Sequence, residues 1–150
     1  MQLKRFTDIG LRVLLYLSLR PKDESVSISL LAERLNWNKA LVVKVSHFLV
    51  QQGWVASVRG RTGGLTLALP PEHFRLGRTL RALEGAEPLI NCAEPACPLH
   101  SRCGLVGLLD EATEAFYAYL DRYTLADLKP RPAPAESPIQ FIRRESPQAA

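Results

Sequence analysis

Leu3, Phe6, Gly10, Val13, Leu14 and Leu17 fall three or four residues apart, the period of a helix with one buried face. The pattern predicts a helix over residues 3–20, halted ahead of Pro21. A polar stretch, Lys22 to Ser25, follows. Ser27 or Ser29 then offers an N-cap for a short helix ending near Leu35, with Leu30, Leu31 and Leu35 turned inward. Asn36-Trp37-Asn38 reads as a turn. A second helix is predicted from about Lys39 to Gln52, stopped at Gly53 by a left-handed cap. Its apolar face is Leu41, Val42, Val45, Phe48 and Leu49. Lys39, Val43, Ser46, His47 and Gln51 face outward, with Lys44 on the flank. Two short helices joined by a tight turn, the second with a polar outer face, make a helix-turn-helix.

Beyond Gly53 the period shortens to two. Residues 55–59 and 65–69 flank Gly60-Arg61-Thr62-Gly63-Gly64, which predicts a β-hairpin with a glycine-rich turn. A hairpin directly after a helix-turn-helix is the wing of a winged helix. Pro70-Pro71 ends it, and a helix over about 76–83 follows, with Gly85 after it. Glu87 to Cys103 holds three prolines and no periodic pattern, so it reads as a loop. A long helix is then predicted from Gly104 to Tyr123. Leu105, Leu108, Leu109, Ala112, Phe116, Tyr119, Leu120 and Tyr123 form one apolar stripe on it. A stripe this far from the winged helix is expected to pair with a second copy across a two-fold axis. The fold class is thus mostly α with a small β-hairpin. Its parts are a winged helix-turn-helix over 1–85, a loop over 86–104, a dimerisation helix and following turn over 105–128, and a tail over 129–150. That tail holds five of the eleven prolines and is expected to be disordered.

Charge adds a partner to this picture. Residues 1–90 carry 13 Lys and Arg against 7 Asp and Glu, a balance of +6, whereas residues 91–150 carry 6 against 8. A basic first segment points to a polyanion, most simply double-stranded DNA. Asn38, Lys39, Lys44 and His47, near the start or on the open side of the second helix, are the candidate base and phosphate readers. Arg59 and Arg61 flank the wing turn, where an arginine suits the negative potential of a narrow minor groove. Gly63 and Gly64 let the wing backbone approach phosphates closely. No apolar run approaches the roughly 20 residues of a membrane span, and Asp8 and Arg12 interrupt any leader-like start. A reducing cytoplasm is the expected location.

Cys92, Cys97 and Cys103 are the chain's three cysteines. An odd number cannot be fully paired in disulfides within one chain. Three thiolates are also one short of the four ligands that tetrahedral zinc and most iron–sulfur clusters take. His100, between Cys97 and Cys103, would complete a Cys3His zinc set. A metal-free thiol switch would leave one thiol unpaired. No substrate-pocket signature accompanies the cysteines, so an enzyme is not expected.

Three segments carry a resemblance. They are Phe6-Thr7-Asp8-Ile9-Gly10-Leu11-Arg12, the wing run from Val58 to Gly64, and Leu80-Arg81-Ala82-Leu83-Glu84-Gly85 ahead of the cysteine loop. Together they resemble the bacterial iron–sulfur winged-helix regulators, the group that includes IscR and NsrR. Ile90-Asn91-Cys92, the spacing to Cys97 and Cys103, and the run from Tyr123 to Leu128 are most similar to the nitric-oxide-sensing NsrR type. The resemblance spans about residues 1–128. It implies a homodimeric repressor of a palindromic operator. It also implies a 4Fe–4S cluster held by Cys92, Cys97 and Cys103, with Asp8 from the partner subunit as fourth ligand. Arg12, one helical turn from Asp8, is placed to orient it. IscR-type relatives hold a 2Fe–2S cluster with a histidine three residues after the last cysteine, where this chain has Val106. A carboxylate is a harder ligand than a thiolate. The resemblance therefore implies that nitric oxide attacks first at the Asp8-ligated iron and releases DNA.

Overall fold

The computed structural model describes residues 2–22, 24–60, 63–85, 87–99 and 102–128. Arg61, His100 and the tail expected over 129–150 lie outside the described residues. Among the described residues, five helices and one hairpin run in the order α1 (Arg5–Ser18), α2 (Ile28–Arg34), α3 (Lys39–Gln51), β1 (Val55–Val58), β2 (Gly64–Leu67), α4 (Leu76–Glu84) and α5 (Leu105–Leu120). Single 3₁₀ turns cover Pro71–His73 and Leu125–Leu128. Among the described residues no helix is long and apolar enough to cross a membrane.

The apolar stripe of α1 forms the centre. Ile9, Val13 and Leu14 are fully buried and meet Val42, Val45 and Leu49 of α3, with Leu31 of α2 and Leu125 closing the cluster. Burying each such side chain stabilises by about 1.5–3 kcal/mol. That burial holds α2, whose seven residues are too few for a free helix in water. Ser27 supplies its N-cap, accepting from the Leu30 N–H at 3.2 Å. Asn36 adopts φ 53° in the turn to α3, a left-handed conformation that asparagine tolerates. A chain of edge-to-face aromatic pairs ties the elements at one end. Phe6 meets Phe48 at 5.4 Å, Phe48 meets Trp54 at 6.3 Å, and Trp54 meets Phe74 at 6.1 Å between ring centres.

The hairpin pairs Val55 with Leu67 and Ser57 with Leu65. β2 also takes a second neighbour. Val26 exchanges two backbone hydrogen bonds with Leu65, at 2.9 and 2.8 Å, so a third short segment lies along the wing. The sequence reading assigns Val26 to no element, for one apolar residue between the polar stretch and the Ser27 cap carries no strand signal. One expectation needs correction: the outward face predicted for α3 includes Ser46, yet Ser46 is 2% exposed. On α5, Leu105, Leu108 and Tyr119 of the apolar stripe are 50%, 64% and 54% exposed.

The face of α5 that does dock is a different one, centred on Tyr117, and it sits on α4. Asp121 accepts from the Arg78 N–H at 2.7 Å and so caps α4 from outside. Arg81 makes two parallel bonds to Glu114, at 2.6 and 2.7 Å, and its guanidinium lies 4.3 Å from the centre of the Tyr117 ring. The backbones approach so closely that a Cβ on Gly77 would strike the Tyr117 carbonyl oxygen. Gly77→Ala is accordingly expected to cost about 1–3 kcal/mol by overpacking, read as a lower denaturant midpoint. An unchanged midpoint would mean that α5 shifts freely.

The Arg81–Glu114 pair also gives a pH dependence. Arg81 holds the Glu114 carboxyl below its ordinary range, chiefly through their hydrogen bonds. A depressed carboxylate stabilises above its unfolded pKa, and the contribution is lost as pH falls through the folded value. Arg81→Ala should therefore lower the melting temperature at pH 7, and the gap to wild type should narrow under acid. A gap independent of pH would show that Arg81 acts through packing on Tyr117 alone.

Candidate DNA interface and cysteine loop

Two groups of predicted residues occupy different parts of the molecule. Asn38, Lys39, Lys44 and His47 are all exposed on α3 or at its start. Val43 joins them, 45% exposed. Asn38 has a second task, because its Oδ1 accepts from the Ala40 N–H at 2.9 Å and caps α3. Its amide NH2 remains the group able to face a ligand. The missing side chain at Gly64 is demanded from inside the protein. A Cβ there would stand 2.6 Å from the Val26 carbonyl oxygen, against the third segment of the wing. Gly63 closes the turn through a bond from its N–H to the Gly60 carbonyl, at 2.9 Å. Arg59 is exposed just beyond β1.

The Ser46 hydroxyl is buried with no hydrogen-bond partner among the described residues. It lies behind the exposed face, beside a shallow depression lined by Ile28, Val43, His47 and Val50. Position 46 is four residues from Val42 and three from Leu49, so the helical period sets it on the buried face, and its polar side chain concealed that in the sequence.

The cysteines sit between α4 and α5, in a segment of turns. Cys92, Cys97 and Cys103 are each half-buried and none is in a disulfide. Asn91 shapes the first turn, its Oδ1 accepting from the N–H groups of Ala93 and Glu94 at 2.9 and 3.3 Å. The Cys97 N–H then closes on the Cys92 carbonyl at 3.0 Å. Desolvation pushes the Cys92 thiol above its ordinary value, with the neighbouring Cys97 and Cys103 and a hydrogen bond to Cys97 acting in the same direction. Both effects favour the neutral thiol, and a bound cation would reverse that preference.

Asp8 lies on α1, half-exposed. Arg12 Nε donates to its Oδ1 at 2.6 Å, and Oδ2 has no bond among the described residues. An i,i+4 pair this exposed is worth about 0.3–0.5 kcal/mol, too little to prevent Asp8 from taking another cation. Among the described residues no three His, Cys, Asp or Glu side chains close around a point where one ion would sit. A cluster of several irons spreads its ligands wider than a single ion does. Three free thiols on one short loop would supply three of the four ligands that such a cluster takes.

Comparison with known proteins places this architecture. Residues 3–131 match the model of the Rrf2 family, described as iron-dependent transcriptional regulators. The fold is similar to that of CymR (YrzC), the global cysteine regulator of B. subtilis. The identity is 24%, with 85% of this chain and 95% of that one covered and a TM-score of 0.65. T. potens IscR is similar at 24% identity, with 85% of each chain covered and a TM-score of 0.65. Staphylococcus aureus CymR matches at 26% identity over 81% of this chain and 93% of its own, with a TM-score of 0.63. With nearly all of its described length inside the family model, the chain belongs to the Rrf2 family of transcriptional regulators.

Proposed function

We propose that this regulator is a homodimeric DNA-binding repressor whose hold on a palindromic operator is set by a 4Fe–4S cluster, with nitric oxide as its signal. The observation that carries the reading is the position of three unpaired thiols. They occupy the loop that joins the winged helix to the helix with the uncovered apolar stripe. Any change of ligation there acts on both the reading head and the surface available to a second copy.

Cys92, Cys97 and Cys103 would hold the cluster, and Asp8 of the partner subunit would complete it. Once bound, the group supplies an iron with a labile carboxylate ligand, open to nitric oxide. The chain's own residues supply the rest. Arg12 orients Asp8 through Oδ1 and leaves Oδ2 to face outward. The loop turns built by Asn91 hold Cys92 and Cys97 together. Support for the nitric-oxide type comes from the cysteine spacing and from Val106, which stands where IscR-type relatives carry histidine. Support for a second copy comes from Leu105, Leu108 and Tyr119, an exposed apolar stripe of a kind that marks an interface. Lys39, Lys44 and Arg59 would neutralise phosphates, while Asn38 and His47 would reach base edges, with Arg61 beside the wing.

The contact between Cys92 and Cys97 favours a second reading, a metal-free dithiol switch in which oxidation joins these two and leaves Cys103 free. Native mass spectrometry of protein purified without oxygen separates the readings. A dimer with four irons and four sulfides per subunit, lost stepwise on adding nitric oxide, is expected. A 2Fe–2S mass would place the protein with the IscR type. One zinc per chain, or a metal-free dimer that gains a disulfide, would overturn the cluster reading. Asp8→Ala should leave the fold intact while making the cluster easier to lose.

DNA binding has its own check. Lys39→Ala should weaken binding about equally across sequences and lower the salt slope by about 1. A change confined to one base position would make Lys39 a base reader instead. Salt-independent binding would remove the phosphate contacts altogether.

A further inference from the structure

The N-terminus of α1 and the C-terminus of α4 satisfy each other. Lys4, the N-cap of α1, has no side-chain cap of its own. Its backbone N–H instead donates to the Glu84 carboxylate, at 3.3 and 3.2 Å to the two oxygens. In return the Lys4 ammonium donates to the Glu84 backbone carbonyl at 2.8 Å. A carboxylate thus meets the positive end of one helix and an ammonium the negative end of the other, which is the favourable polarity for both. The same ammonium also pairs with Glu87 at 2.8 Å, at the start of the cysteine loop. Leu3, Pro88, Leu89 and Phe116 surround a cavity of about 170 Å³ beside this junction, so α1, the loop and α5 meet there.

Lys4 also reaches Asp8 directly. The Asp8 N–H donates to the Lys4 carbonyl at 3.0 Å, in the first turn of α1. A continuous run of bonds therefore leads from Glu87 through Lys4 to Asp8 and on to Arg12. An ion pair as exposed as Lys4–Glu87 stabilises little by itself. Its consequence is geometric, since two backbone groups and two carboxylates converge on one residue.

We propose that Lys4 is a positioning residue that locks the base of the cysteine loop to the turn of α1 carrying Asp8. The inference rests on the reading above, in which Asp8 of each subunit serves the loop of the other. Under that arrangement the clamp makes the two sites of a dimer interdependent. Release of ligands in one loop loosens that subunit's own Asp8, which is the ligand of the second site. The coupling needs no contact between the two loops, only one stiff connection within each chain.

The test uses Lys4→Met, which keeps the length of the stem and removes the ammonium, with Lys4→Arg as the conservative control. In full-length protein freed of metal, Lys4→Met should exchange amide hydrogens faster in residues 5–8 and 87–97 together, with α3 unchanged. Lys4→Arg should restore protection. In the loaded dimer, native mass spectrometry during gradual cluster loss should show mostly doubly loaded and empty wild-type dimers. Lys4→Met should approach independent sites, for which about half of all dimers are singly loaded at half loss. Unchanged exchange in either segment, or an unchanged pattern of loading, would overturn the proposal. Failure of the parent reading shows earlier and separately, as wild-type dimers that carry no cluster or lose none when Asp8 is replaced by alanine.

Discussion

The docking of α5 on α4 is the constraint on which the cysteine loop depends. The loop leaves one of these helices and enters the other, so its ends are fixed wherever the two pack. Gly77 lets the backbones approach, Asp121 caps α4 from beyond the end of α5, and Arg81 joins Glu114 across the contact. Further along, Leu76 donates to the Tyr123 carbonyl at 3.0 Å and Leu125 donates to that of Phe74 at 3.0 Å. Closing a loop costs entropy that grows slowly with its length. Here packing on both sides covers that cost before any thiol meets another. The three cysteines are therefore held at high effective concentration by a contact that involves none of them.

Much of this architecture was legible in the chain, and what was legible was local. The helical periods of α1 and α3, the Ser27 cap and the glycine-rich hairpin turn each depend on residues within a few positions of one another. The segments that escaped are non-local. Val26 forms a β-bridge only because Leu65 lies beside it. Asp121 caps a helix that begins 45 residues earlier, at Leu76. The Lys4–Glu84 junction spans 80 residues. Ser46 was concealed differently, by its polar side chain, for the period of α3 sets it with Val42 and Leu49 on the buried face. Tyr117 was hidden by a stronger signal, because the apolar stripe on α5 drew the reading toward the face that a single chain leaves exposed.

The reading head illustrates how one residue can answer two demands. Asn38 caps α3 through its carbonyl oxygen, yet it stands at the helix start, where the proposed reading would have it meet base edges. An amide meets both demands because its oxygen and nitrogen point in different directions. Aspartate would cap equally well but would present a second negative oxygen to the phosphates. Gly64 is a comparable case, since the residue that keeps the wing tip slim is the one that lets Val26 pair with β2. Residue types that DNA contact would favour are thus also those that the fold requires, and sequence alone could not separate the two causes.

Charge and apolar surface divide along the chain in a way that fits this division of labour. The positive excess lies before residue 91, and the balance beyond it is negative. The uncovered leucines and tyrosines of α5 fall in that second part. A face of this kind in water is unfavourable, and burial against an identical face removes it without adding positive charge to the junction. The basic surfaces of α3 and the wing would then stay free to meet a polyanion. Were the apolar stripe on the reading head instead, dimerisation and DNA binding would compete for one surface. Under the proposed reading, a cysteine loop placed between them would let a change in its ligands reach either surface through the helices it joins.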